Sequence, residues 1–333
     1  MSDYPQSVES APEPVFEYGT SQPFLERIEA AVKSTREAES NYIEYREDGA
    51  YRDGTAWWKR DSADGIGTKG LLHWQHRTFA EAAQDAFAMA VNDLYRDRCV
   101  PYKLTNVLLA ETDDEEAIAQ TIEGLATLAK ERGIQMGDGE TAILNVLQGF
   151  ELDVTATGRE VRKVPNQYQA GDTLLAIPSS GIHSNGLTLA RELFEGEVPA
   201  EILTPTRIYD EITKLHYDPD VHGLTHVTGD AFRKLRLNGP DLTFVIDELP
   251  VTPASEVFDE LYRRLAGRNG SGADAKMYTS FNNGIGFVIG VRSRVADQML
   301  RLLPDAVAIG SVEHTGDPGV NVRSRYTDRI VSL

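Results

Sequence analysis

The stretch Thr78-Phe-Ala-Glu-Ala-Ala-Gln-Asp-Ala-Phe-Ala-Met-Ala-Val-Asn-Asp-Leu94 decides how this chain folds. Thr78 and Glu81 stand at capping-box spacing, and behind them Phe79, Ala82, Ala83, Ala86, Phe87, Ala90 and Leu94 recur with the period of a helix. That spacing predicts a helix running to about Arg98. Residues 104–110 then read as a buried strand, and Thr112-Asp-Asp-Glu115 caps a second helix that Gly133 should stop. Next, Leu152, Val154 and Ala156 face one way while Glu151, Asp153, Thr155 and Thr157 face the other, as in a half-buried strand. Strand and helix therefore alternate through the first half.

Upstream, residues 1–20 are rich in Ser, Pro and Glu and read as a flexible arm, while Phe24, Leu25, Ile28 and Val32 mark a short amphipathic helix. The polar stretch 36–60 carries Trp57-Trp58, which reads as half-buried packing. Downstream, 164–172 reads as a connection, with a domain boundary near 168. Beyond it strands are expected at 174–178, 242–247, 284–291 and 307–313, and helices at 187–194, 255–265 and 294–303. Mixed elements in two halves predict an α/β or α+β protein. Its parts are an arm (1–20), an N-terminal domain (21–168) and a C-terminal domain (169–333).

The 333 residues suffice for a large core without disulfide staples, and Cys99, the single cysteine, has no partner for one. No apolar run reaches the ~18 residues of a membrane span, and the N-terminus lacks the basic and apolar regions of a secretory signal. A cytoplasmic protein is expected. Its 33 basic and 52 acidic residues leave a charge of −19, a field that repels nucleic acid.

Three acidic turns could carry chemistry. In Asp64-Gly-Ile-Gly-Thr-Lys69, glycine N–H groups can approach an anion, Thr68 and Lys69 can touch phosphate, and Asp64 can hold magnesium. The Walker A spacing is absent, and an ordinary glycine turn is the bland alternative. Asn92-Asp93 lies on the long helix, and Gly137-Asp-Gly-Glu140-Thr141 is a second glycine and acid turn. If they converged, Asp64, Asp93 and Glu140 would suit magnesium and a nucleotide triphosphate. Ser179-Ser-Gly-Ile-His-Ser-Asn-Gly186 precedes a helix whose N-terminus could bind an anion, with His183 as donor or proton carrier. His226-Val-Thr-Gly-Asp230 adds a further cluster, and a catalytic serine is disfavoured because Ser179 and Ser180 lack the nucleophile-elbow glycines.

In their order along the chain, segments 64–69, 91–93, 139–142, 171–176, 179–186, 203–209, 226–229 and 281–286 resemble the aminoimidazole ribonucleotide synthetase family, phosphoribosylformylglycinamidine cyclo-ligases. The resemblance spans about residues 16 to 315. It implies a two-domain synthetase fold with a β-rich dimerising N-terminal domain, a homodimer, and ATP-dependent closure of a ribonucleotide substrate to an imidazole. It further implies that Asp64, Asp93 and Glu140 hold Mg2+ and phosphates, and that Gly65, Gly67, Thr68 and Lys69 form the phosphate loop. Asn92, Gly139 and Thr141 would join the nucleotide site, Ser180, His183, Asn185, His226 and Thr228 the substrate side, and His183, Lys69 and Asp64 the catalytic set.

The chain departs from that family in several places. Residues 40–48 replace a glycine-rich segment, Glu29 stands for a lysine, and Asp138 and Asp230-Ala231 stand where the family has glycines. A carboxylate near an anion site reverses the local field. The alternatives are therefore a relative acting on another acceptor, or a non-catalytic dimeric binding protein.

Overall fold

The computed structural model describes residues 30–32, 34, 43–161 and 163–333. The expected arm, nearly all of the 24–33 helix, and Glu29 lie outside them. Ser40–Leu333 form one compact unit.

Two sheets carry this unit. The first is built from β1 (Glu44–Tyr45), β2 (Tyr51–Arg52), β3 (Lys59–Gly65), β4 (Cys99–Ala110), β5 (Gln135–Met136), β6 (Glu140–Ile143) and β7 (Phe150–Glu160). Its order is β1-β2-β3-β7-β4-β5, with β6 also on β4. The second contains β8 (Asp172–Pro178), β9 (Val221–His226), β10 (Thr243–Ile246), β11 (Ile285–Arg292), β12 (Val307–Glu313), β13 (Gly319–Arg323) and β14 (Ile330–Ser332). Its order is β14-β13-β10-β12-β8-β11-β9, antiparallel except where β10 meets β13. Helices accompany mainly antiparallel strands, so the architecture is α+β.

The helix Phe79–Arg96 is buried almost all round, because small alanines let strands approach it closely. Its core joins Leu104, Leu108, Leu152 and Val154 of the first sheet to Leu175, Leu224, Phe287 and Ile289 of the second. The expected capping box does not form. Thr78 makes no side-chain cap bond; its hydroxyl instead meets His73 Nδ1 at 2.6 Å. The second cap does form, with the Asp114 carboxylate accepting from Ala117 N–H ahead of the helix Glu115–Glu131. Of the two tryptophans only Trp58 is half-buried, beneath Arg46 and Arg52, whereas Trp57 is 57% exposed.

Candidate active site

The Asp64–Lys69 segment leaves β3 and enters the helix Thr68–His76 through Gly67, whose φ of 57° with ψ of −141° belongs to glycine. The Gly67 N–H donates to Glu151 Oε1 at 2.9 Å, and Asp64 Oδ1 accepts from Gly65 N–H at 2.8 Å. A side chain at Gly65 would strike the Asp153 and Glu151 carboxylates. Burial raises the Asp64 carboxyl above the usual range, the Asp93 and Asp153 charges add to the rise, and Lys234 opposes it. Glu151 is raised by burial too, with Asp153 and Asp64 adding. These two acids of β7 carried no motif, only the outward parity of a strand.

Lys69 departs most from its expected place. Its ammonium is fully buried, 2.8 Å from Asp85 Oδ2 and donating to the Thr204 carbonyl at 2.8 Å, so it faces the interior rather than a phosphate. Asp85 also accepts from His73 Nε2, Thr206 N–H and the Thr206 hydroxyl. Burial acts to raise Asp85, but Lys69 and His73 outweigh it and hold the carboxyl at about 2. The sequence signal for Asp85 was an acid inside an alanine-rich apolar run, where a charge needs a partner.

Asp93 turns towards the end of β9. Its Oδ1 lies 2.9 Å from His226 Nδ1, and its Oδ2 accepts from Arg96 at 3.2 Å. Burial works against the charged form of Asp93, yet the His226 bond and the charge of Arg96 keep it well below the usual carboxyl range. His226 is fully buried, and burial holds it neutral, with Nδ1–H donated to Asp93. Asn92, expected among the nucleotide ligands, instead braces the chain. Its Nδ2 donates to the Arg207 carbonyl and its Oδ1 accepts from Tyr209 N–H, both at 2.9 Å.

The 179–186 turn brings His183 into the same interior at φ 59°. Ser180 N–H donates to His183 Nε2 at 3.3 Å, so Nδ1 carries the proton, while the Ser180 hydroxyl donates to the Pro205 carbonyl. His183 Nδ1 and Asn185 Nδ2 are buried without a hydrogen-bond partner. Burial first, then the closeness of the His226 ring and the Lys69 ammonium, which disfavour a further cation, push the His183 pKa well below its ordinary value. The helix Leu187–Leu193 that follows is short and begins beyond Gly186. The Tyr209 ring links the two histidines, its centroid 6.3 Å from His183 and 6.2 Å from His226.

Lys234, which no motif signalled, enters from the 3-10 turn Ala231–Asn238 and donates to the Thr228 hydroxyl. Asp230 precedes that turn at φ 63° with Oδ1 buried and unpaired. Replacing it by glycine should relieve the left-handed backbone and remove the unpaired oxygen. Asp230→Gly is therefore expected to stabilise the fold by about 1 kcal/mol in urea unfolding, and a loss of stability would contradict this account.

Glu140 does not join the acids. β6, β4, β7 and β3 align Glu140, Val107, Asp153 and Gly65 in register, which places Glu140 three strand spacings, roughly 14 Å, from the loop. Gly139, Glu140 and Thr141 lie exposed along that edge, with Gly139 pressed against Asn106. Among the described residues no three His, Cys, Asp or Glu side chains form a group able to hold a metal ion. A magnesium ion commonly takes one or two carboxylates and completes its shell with phosphate and water, and Asp64 and Asp93 fit that pattern. Thr68 opens its helix part-exposed, four residues beyond Asp64.

This fold is an α+β architecture carried by two seven-stranded sheets. Residues 54–159 match the AIR synthase related protein N-terminal domain and 169–323 its C-terminal domain. The chain belongs to the AIR synthase related protein family. It is 32% identical to a phosphoribosylformylglycinamidine cyclo-ligase of Methanobrevibacter smithii, over 79% of this chain and 82% of that one. It is 34% identical to the enzyme of that name from Methanothermobacter thermautotrophicus, over 77% and 80%. The fold is also that of E. coli HypE, a hydrogenase maturation protein (TM-score 0.61, 21% identity, 92% and 96% covered). Thiamine monophosphate kinase from Aquifex aeolicus shares it as well (TM-score 0.60, 16% identity, 94% and 99% covered). No described helix is long and apolar enough to cross a membrane.

Proposed function

We propose that this chain is a cytoplasmic, magnesium-dependent enzyme that closes formylglycinamidine ribonucleotide to aminoimidazole ribonucleotide in purine biosynthesis, at the expense of ATP. The observation that carries the reading is the buried His183, whose Nδ1–H has no protein partner and whose ring meets Tyr209, which in turn meets the His226 that binds Asp93. When bound, ATP would supply the phosphoryl group that makes the formyl oxygen a leaving group. Asp64 and Asp93 would hold the magnesium ion, and His183 and Asn185 would orient the amidine. A neutral imidazole there can exchange a proton with the attacking nitrogen, a contribution of ~10²–10⁴ in rate.

His183→Asn keeps a polar side chain and removes the titrating ring. Turnover should fall by about a hundredfold while ATP affinity stays, and a loss within about threefold with a lowered melting temperature would make His183 structural. Phosphate release should depend on formylglycinamidine ribonucleotide. Turnover indifferent to it would favour another acceptor, a reading that Asp230 with its unpaired Oδ1 supports, and no turnover at all would favour a binding protein.

The homodimer belongs to the same proposal. The interior strand β4 leaves Val100, Tyr102 and Val107 each 38–40% exposed, an apolar face that a second copy would cover. Light scattering should give about twice 36.8 kDa, and a monomer at micromolar concentration would refute it.

A further inference from the structure

The lysine that segment 64–69 offers to a phosphate is unavailable in this fold, because Lys69 is held between Asp85 and the Thr204 carbonyl. A second lysine takes its place. Lys234 lies one turn beyond Asp230 and donates to Thr228, two residues after the His226 that binds Asp93. The path from 226 to 234 thus brings its ammonium to the side of the site where Asp93 and Asp64 stand, close enough for its charge to act on both.

The bland role for such a lysine is counter-ion to these acids. Each acid already has another donor, however: Asp93 has His226 and Arg96, and Asp64 has the Gly65 N–H on Oδ1. The ammonium makes no ion pair with a carboxylate among the described residues. A lysine carries three donors, and one goes to Thr228. We infer that Lys234 binds a phosphoryl oxygen of the nucleotide held at Asp64 and Asp93, the role its sequence motif assigns to Lys69. A compact ammonium suits a phosphate oxygen, and placing it on the 231–238 turn makes nucleotide binding depend on the segment where Asp230-Ala231 replaces the family's glycines.

The inference rests on the ATP-dependent reading, so its test keeps the two apart. Calorimetry would measure magnesium ATP and adenosine binding to the full chain and to its Lys234→Met and Lys234→Gln variants. Glutamine retains a donor for Thr228 and removes only the charge, so its melting temperature should stay near that of the parent. Both variants are expected to bind ATP about tenfold or more weakly, with adenosine affinity within about twofold. ATP affinity within about twofold of the parent in Lys234→Gln would overturn the assignment and leave the nucleotide site standing. A parent chain that binds no ATP would overturn both.

Discussion

Between pH 7 and pH 4 the folded state should lose about 3 kcal/mol through His216 alone, because burial lowers its pKa to about 4 while an unfolded histidine titrates near ~6.5. Its Nε2–H donates to the Tyr95 carbonyl at 3.0 Å, and its Nδ1 is buried with no partner. Arg98 donates to the neighbouring Leu215 and His216 carbonyls, so a proton on Nδ1 would add a second cation beside it. The unfolded chain therefore binds a proton through the window from ~6.5 down to about 4 that the folded chain refuses, and stability, intact above that window, falls as pH falls through it. Buried His183 and His226 act in the same direction. Asp64 and Glu151 act oppositely, since raised carboxyl pKa values favour proton uptake by the folded state. Urea unfolding across this range should thus show a fall that His216→Gln, which keeps a donor for Tyr95, makes shallower by about 3 kcal/mol. An identical pH dependence in the variant would refute the buried neutral imidazole.

Elements with one apolar period were legible in the sequence. The Phe79–Arg96 helix and strands β4, β7, β8, β11 and β12 were all visible, since burial of a face leaves its spacing in the chain. β9, Val-His-Gly-Leu-Thr-His, was not, although every residue of it is buried. Its polar side chains are satisfied from afar: His222 by Asp172, Thr225 by Tyr168 and His226 by Asp93. β3, Lys-Arg-Asp-Ser-Ala-Asp-Gly, is polar on both faces and hides for the related reason that pairing with β7 orders it. Thr78 failed as a cap on the same grounds, its hydroxyl being engaged by His73.

The site divides likewise. Motif order led to Asp64, Asp93, His183 and His226, whose neighbourhood the fold supplies. Glu140 read equally well and stands three strands away, because spacing along a chain says nothing of which strand lies between. Glu151, Asp153, Asp85 and Lys234 sit in no motif; their meaning comes only from what faces them across the fold.

Lys69 separates motif from structure most sharply. As a phosphate-loop lysine at the surface, its replacement by methionine would move stability by no more than ~0.5 kcal/mol while weakening ATP binding. As the partner of a fully buried Asp85 it should instead cost about 3–5 kcal/mol, since an uncompensated charge would remain in the interior. Removing that charge as well should recover much of the loss. Asp85→Asn added to Lys69→Met leaves an amide that still meets Thr206 and His73, so the double variant should be more stable than Lys69→Met alone. The coupling also reaches the chemistry, because Asp85 and Lys69 both hold residues 204–206, and the Pro205 carbonyl accepts from Ser180 beside His183. Lys69→Met should therefore lower turnover through a displaced 179–186 turn, while ATP affinity in the folded fraction stays within about threefold. A variant as stable as the parent that binds ATP poorly would return Lys69 to the phosphate and refute the interior pair.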